Sequence, residues 1–148
     1  MIYPDFYNSY RKIWSAMHDL GHPIFLTEGW RSIETQDELY SLGRKPKDYS
    51  AIVTYAKPYQ SLHHYGIAVD VAFTGEDPYS EDQPWDKLGE VVKAFGCQWG
   101  GDWSQLIDRP HIYKDYGTNW QDLSEVYKKY NLEEVWKFLD KKKECKEA

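Results

Sequence analysis

The segment Ile67 to Phe73 constrains the fold most, because large apolar residues alternate in it with smaller ones. Successive side chains of a β-strand point to opposite faces. The larger residues therefore form one face of a predicted strand: Ile67, Val69, Val71 and Phe73. Asp70 lies on the other face between two alanines, which leave room above its carboxylate. An isolated buried carboxylate is costly, so Asp70 either accepts hydrogen bonds in a protein interior or binds a cation.

The rest of the chain mixes helical stripes with short strands and has no strict βαβ rhythm. Helices are predicted over residues 5–20, 32–42, 85–95 and 119–140, the last as one or two segments. Ser32 is suited to cap the second helix, and glycines follow the first three. Further strands are predicted near residues 24–27, 52–54, 97–99 and 111–113. This mixture predicts an α+β fold with a small, largely antiparallel sheet.

The length of 148 residues predicts a single domain over residues 1–148, on which the segment 119–140 packs. The net charge of −6 argues against nucleic-acid binding, which requires basic patches. No apolar run approaches the roughly 20 residues that a membrane-spanning helix requires, so we expect no membrane insertion. The acidic loop 74–86 has no regular calcium-ligand spacing, and a solvated loop is favoured over a cation site there.

A histidine pair precedes the predicted strand that carries Asp70. His63 is seven residues before Asp70, so a straight strand would direct the two side chains to opposite faces. Gly66 permits a bend that brings His63 round to the carboxylate. Two interpretations remain open: a metal site that includes both residues, or a hydrogen-bonded Asp70 with His63 in a surface turn.

A second cluster comprises Trp-Gly-Gly-Asp-Trp at 99–103 and Asp-Arg-Pro-His at 108–111. Asp108 is three residues before His111, and a bend near Pro110 is needed to bring both to one site. This segment could complete a zinc site of two histidines and one carboxylate, with a second carboxylate as base. The alternative is an Asp108–Arg109 surface pair beside a histidine of the core.

These residues resemble a known family. The pattern Ser61-x-His63-x-x-Gly66-x-Ala68-x-Asp70, followed by Asp108-x-x-His111, is similar to that of the D-Ala-D-Ala carboxypeptidase and L-alanyl-D-glutamate peptidase family of zinc peptidases. The resemblance covers roughly residues 24 to 113. It also includes four further stretches: Glu28 to Ser32 with Gln36, Ile52 to Thr54, Lys57-Pro58 and Trp99 to Trp103. It implies a compact α+β fold around a small antiparallel sheet that carries the metal.

The resemblance also implies roles for single residues. His63, Asp70 and His111 take the positions of the ligands of one zinc ion per chain. Asp108 takes the place of the catalytic carboxylate, and Arg31 that of the arginine that faces the substrate and the developing oxyanion. Two more residues are candidates for substrate binding, Ser61 and Asp102. His64 is adjacent to a ligand position but does not fit the pattern, so we expect it not to bind the metal.

The implied function is hydrolysis of an amide bond in the stem peptide of bacterial peptidoglycan. The catalytic carboxylate is Glu in the dipeptidase and carboxypeptidase branches, so Asp108 favours the endopeptidases that cleave L-Ala–D-Glu, as found in phage endolysins. Two alternatives stay open: a D-Ala-D-Ala carboxypeptidase, and a non-catalytic, zinc-stabilised wall-binding module. The first residues resemble no secretory signal. This fits a phage or prophage lysis enzyme that is made in the cytoplasm and acts on the cell wall, and it fits equally a sequence from which the signal has been removed.

Overall fold

The computed structural model describes residues 1–147, and the side chains of residues 1–145. Within the described residues, five α-helices and four β-strands follow one another along the chain. They are α1 (Pro4–Asp19), β1 (Ile24–Glu28), α2 (Ile33–Ser41), β2 (Ala68–Phe73), α3 (Trp85–Ala94), β3 (Gln98–Trp99), β4 (His111–Tyr113), α4 (Trp120–Lys129) and α5 (Leu132–Glu147). Two 3₁₀ turns cover Leu62–Tyr65, here called the histidine turn, and Gly100–Asp102. The predicted α+β class is confirmed.

The four strands form one antiparallel sheet in the order β1-β2-β4-β3. Strand β2 lies at its centre and pairs with β1 on one side and β4 on the other. The register aligns Asp70 of β2 with His111 of β4 and, beyond an irregularity in β1, with Glu28. Three polar residues therefore form one row across a sheet whose neighbouring positions are apolar.

Contacts along the chain divide it into two compact units. The first combines residues 1–30 with 66–114 and contains the sheet, α1 and α3. Its core includes fully buried side chains from α1, α3 and the sheet: Phe6, Ile13, Met17, Leu88, Val92, Ile67, Val69 and Ile112. In α1, the predicted stripe is buried except for Trp14 and Leu20, which are exposed. The single domain over 1–148 stays a prediction.

The second unit combines residues 31–65 with those from 115 onward. It contains α2, the histidine turn, α4 and α5, and its buried residues include Leu123, Val135 and Leu139. Ser32 caps α2, since its side chain accepts a hydrogen bond from the Thr35 N–H at 3.0 Å. Helix α5 extends to Glu147, seven residues beyond the predicted end at 140.

The strand predicted at residues 52–54 is wrong. This segment has no regular structure, and the side chains of Ile52 and Val53 are exposed. Side-chain donors bind the carbonyls of Thr54 and of Ala56, two residues further on. The Arg44 guanidinium donates to the Thr54 carbonyl at 2.9 Å, and the Gln36 amide donates to the Ala56 carbonyl at 2.6 Å.

Candidate metal centre

Strand β2 places the carboxylate of Asp70 in a sheltered position. The flanking Ala68 and Ala72 are completely buried, while the Asp70 side chain keeps 18% of its surface exposed. Small neighbours leave space above the carboxylate, as the alternating pattern of this segment predicts. In the paired strand, Nδ1 of His111 lies 3.0 Å from Oδ1 of Asp70.

The histidine turn places His63 in the interior, where it is 1% exposed. Gly66, directly after this turn, has a φ of +73°, a left-handed conformation that side chains with a Cβ rarely adopt. The chain therefore bends between His63 and Asp70, which resolves the odd spacing of the two residues. Ser61 begins the turn, and its hydroxyl accepts a hydrogen bond from the His63 N–H at 3.3 Å.

A tight turn precedes β4 and sets the position of His111. The His111 N–H donates to the Asp108 carbonyl at 3.2 Å, and the Asp108 N–H donates to the Gly100 carbonyl at 3.1 Å. A Cβ at Gly100 would lie 2.3 Å from the Asp108 carbonyl oxygen and 2.9 Å from the Cβ of His111, so only glycine fits there. The required bend near Pro110 is present, and strand pairing begins only at His111.

The side chains of His63, Asp70 and His111 form a cluster suited to a metal ion. One ligand atom from each of these residues lies within 4.8 Å of the other two. Among the described side chains, this is the one group of three or more potential ligands. Two imidazoles and one carboxylate are a donor set that catalytic zinc sites use, and they leave a fourth position open. The donor set fits zinc, although the role of each residue as a ligand stays a prediction.

Arg31 is held beside His63 by its main chain. Its N–H donates to the His63 carbonyl at 3.2 Å, and its carbonyl oxygen lies 2.8 Å from Nδ1 of His64. Its guanidinium donates to Oε1 of Gln36 at 2.8 Å, and Gln36 is completely buried. Burial lowers the pKa of His64 below its usual value.

The remaining candidates lie in different surroundings. Asp108 is half-buried in the turn before His111. Asp102 is exposed, and its carboxylate forms an ion pair with Lys93 at 3.1 Å. This ion pair gives no support for substrate binding by Asp102, and the catalytic role of Asp108 stays a prediction. His64 is absent from the ligand cluster, in agreement with its departure from the family pattern.

Two contacts in this region were not foreseen from the sequence. Gln36 was recognised only as part of the family pattern, yet its buried amide links Arg31 to the segment 54–56. The one available signal was a polar residue on the inward face of α2. Trp103 packs against His111 with ring centroids 4.9 Å apart, and its Nε1 donates to the Tyr113 hydroxyl at 3.1 Å.

Comparisons with known proteins agree with the resemblance described above. A family model described as D-alanyl-D-alanine carboxypeptidase matches residues 54–114, a range that includes the histidine turn, β2 and β4. The match is to the D-alanyl-D-alanine carboxypeptidase family. The resemblance predicted from the sequence is therefore confirmed. Arg31 lies outside the matched range.

Two relatives of this family have names that refer to L-alanyl-D-glutamate. The peptidoglycan L-alanyl-D-glutamate endopeptidase CwlK of Bacillus subtilis is 38% identical over 109 residues, which are 66% of this chain and 64% of CwlK. The L-alanyl-D-glutamate peptidase of Listeria phage A118 is 53% identical over 36 residues, 22% of this chain and 13% of that protein. The matched parts therefore span less than two thirds of either relative.

The fold itself is shared with solved structures. The vancomycin resistance D,D-pentapeptidase VanY, solved in complex with Zn(II), has a TM-score of 0.58 and 20% identity. The similarity covers 88% of this chain and 81% of that of VanY. At this identity the likeness establishes the fold alone. No helix within residues 1–147 is both long and apolar enough to cross a lipid bilayer.

Proposed function

We propose that this chain is a zinc-dependent peptidoglycan peptidase that hydrolyses the L-Ala–D-Glu bond of the stem peptide. The observation that carries the proposal is the cluster of His63, Asp70 and His111, whose ligand atoms lie within 4.8 Å of one another. The choice of bond rests on the relatives from Bacillus subtilis and Listeria phage A118, which are named for L-alanyl-D-glutamate. An aspartate at position 108, in place of the glutamate of the carboxypeptidase branch, supports the same choice.

The proposed mechanism divides the reaction among the zinc site, Asp108 and Arg31. Zinc held by His63, Asp70 and His111 would polarise the substrate carbonyl and lower the pKa of water to about 7. Hydrolysis adds one water across the C–N bond, so a proton has to move from that water to the leaving amine. Asp108 accepts this proton and returns it to the amine nitrogen. The Arg31 guanidinium stabilises the negative charge that develops on the carbonyl oxygen.

The proposed site of action is the bacterial cell wall, where the stem peptide occurs. We propose a phage or prophage lysis enzyme, and the match to a Listeria phage peptidase supports this origin. A net charge of −6 gives this chain little non-specific attraction to acidic wall polymers.

Digestion of purified cell walls tests the proposal. The zinc-loaded protein is expected to generate muropeptides with a new N-terminal D-Glu, which mass spectrometry identifies. Release of free D-Ala instead would indicate the D-Ala-D-Ala carboxypeptidase alternative. If no new amine is released although zinc is bound, the non-catalytic wall-binding module is the better interpretation.

The same digestion of cell walls tests whether Asp108 carries the proton. Asp108→Asn is expected to retain zinc, measured by elemental analysis, but to lose about 10²- to 10⁴-fold in turnover, the usual contribution of a general base. Asp82→Asn, in the exposed loop before α3, is the matched control and should keep full activity. Full activity of Asp108→Asn would remove Asp108 from the mechanism while leaving the zinc site intact.

A further inference from the structure

His64 is a buried polar residue whose part in the site the family pattern does not assign. It is 1% exposed and lies on the histidine turn directly after His63. Aromatic rings enclose it: the ring centroids of Tyr59 and Tyr65 lie 6.4 Å and 6.0 Å from that of His64. The ring is therefore fixed in orientation by packing.

The hydrogen bond of His64 defines the position of its proton. Nδ1 lies 2.8 Å from the main-chain carbonyl oxygen of Arg31. A carbonyl oxygen can only accept a hydrogen bond, so Nδ1 must carry the proton. The imidazole of His64 thus donates a hydrogen bond from Nδ1 to the Arg31 carbonyl.

The histidine turn thereby binds the main chain of Arg31 on both sides of its Cα atom. The His63 carbonyl accepts from the Arg31 N–H, and the His64 ring donates to the Arg31 carbonyl. These two bonds fix the main chain from which the arginine side chain extends. Gln36 then holds the guanidinium at Nη1. The direction of the Arg31 side chain is set by the same two-residue segment that supplies the first candidate ligand.

We propose that His64 is a positioning residue, whose Nδ1–H group holds the Arg31 backbone so that the guanidinium reaches the developing oxyanion. This inference rests on the proposed function of Arg31. A displacement of about 1 Å in a catalytic group can cost roughly 10²-fold in rate. Because the oxyanion forms only in the transition state, loss of this support lowers kcat and leaves KM nearly unchanged.

Two substitutions of similar size separate hydrogen bonding from packing. Asn places an amide N–H close to the position of Nδ1, whereas Leu fills the space without a donor. We expect His64→Leu to bind zinc stoichiometrically but to lose about 10²-fold in kcat on muropeptides, and His64→Asn to recover most of that loss. Equal losses of kcat in both variants, or loss of zinc from His64→Leu, would overturn the proposal.

A double-mutant cycle tests whether His64 acts through Arg31. In the Arg31→Ala background, His64→Leu should cause little additional loss of kcat, because the group that it positions is already absent. An undiminished effect in that background would contradict the proposal. The cycle is measured at equal zinc content and equal fraction folded.

The tautomer of His64 in the wild-type protein provides a measurement that needs neither substitution nor activity. Long-range ¹H–¹⁵N spectra of the zinc-loaded protein should show a proton on Nδ1 of His64. A proton on Nε2 alone would overturn the proposal even if every variant is active. If the wild-type protein cleaves no cell wall, the proposed function fails, and the tautomer alone then decides whether His64 holds Arg31.

Discussion

At the residue scale, the site depends on small residues as much as on the polar ones. Asp70 has space above it because its neighbours on that strand face are alanines. His63 reaches the cluster because Gly66 adopts a left-handed conformation, and His111 is placed by a turn that packs against Gly100. The position of the candidate ligands therefore depends on the spacing between the polar residues and on the small side chains beside them.

Removal of one candidate ligand tests the cluster directly. His63→Ala is expected to weaken zinc binding by more than about 100-fold, since even loss of an outer hydrogen-bond partner of a ligand costs about 10- to 100-fold. Elemental analysis after dialysis against a weak chelator measures this loss. His18→Ala, an exposed histidine at the end of α1, is the control and should retain zinc. Stoichiometric zinc in His63→Ala would exclude His63 as a ligand.

The sequence alone could identify the three candidate ligands but not how Arg31 is held. Asp70 and His111 stood out through alternation and spacing, and the family pattern supplied the choice between a metal site and core residues. The bond between His64 and Arg31 joins residues 33 positions apart. No local sequence pattern indicates such a contact. The sequence therefore predicts of His64 only that it does not bind the metal.

At the element scale, the helices were predictable because their ends carry local signals. Helix α2 begins after the capping Ser32, and α3 ends near Gly96, which has a φ of +77°. The strand predicted at 52–54 is wrong: its apolar composition suits a strand, but the Thr54 carbonyl binds the Arg44 side chain and not a neighbouring strand. Strand identity depends on partners that the local sequence does not contain.

The substitution Gly100→Ala, which adds one methyl group, tests how tightly the turn before β4 is packed. In Gly100→Ala, the new Cβ meets the Asp108 carbonyl and His111, so the turn has to shift. We expect a loss of about 1–3 kcal/mol in the free energy of unfolding, as for other overpacked sites. Activity per folded molecule is expected to fall as well, by about 10²-fold. Urea unfolding and muropeptide cleavage measure the two effects.

Gly96→Ala is the matched control for this substitution. Gly96 has a left-handed backbone, but nothing lies within 4 Å of a Cβ added there. Alanine at this position should cost about 1–2 kcal/mol in stability through backbone strain alone. Activity per folded molecule is expected to stay at the wild-type level. Equal loss of activity in both variants would contradict a specific effect of Gly100 on the site.

At the scale of the whole molecule, the structure buries several groups that ionise at high pH. Burial raises the pKa of Tyr10 to about 12, and it also raises the pKa of Tyr65 and of the Cys97 thiol. In the unfolded chain these groups lose their protons near pH 8.5 to 10. Between those values and the raised values, the unfolded state binds fewer protons than the folded state, so stability falls as the pH rises.

Unfolding at several pH values measures this effect. We expect the free energy of unfolding to decline above about pH 9, by up to about 1.4 kcal/mol per pH unit for each buried group that titrates. Tyr10→Phe removes one such group and should make the decline between pH 10 and 12 shallower. Tyr79→Phe, at an exposed tyrosine, should leave the slope unchanged. A slope that is the same in Tyr10→Phe and the wild type would contradict the burial argument.

The contact of α5 with the histidine turn has a consequence for synthesis. The indole N–H of Trp136 donates to the Tyr65 carbonyl at 2.9 Å, two residues after His63. A ribosome makes His63 more than seventy residues before the tryptophan that steadies its backbone. A nascent chain that has not yet released Trp136 from the exit tunnel therefore lacks this brace of the turn that carries its first candidate ligand.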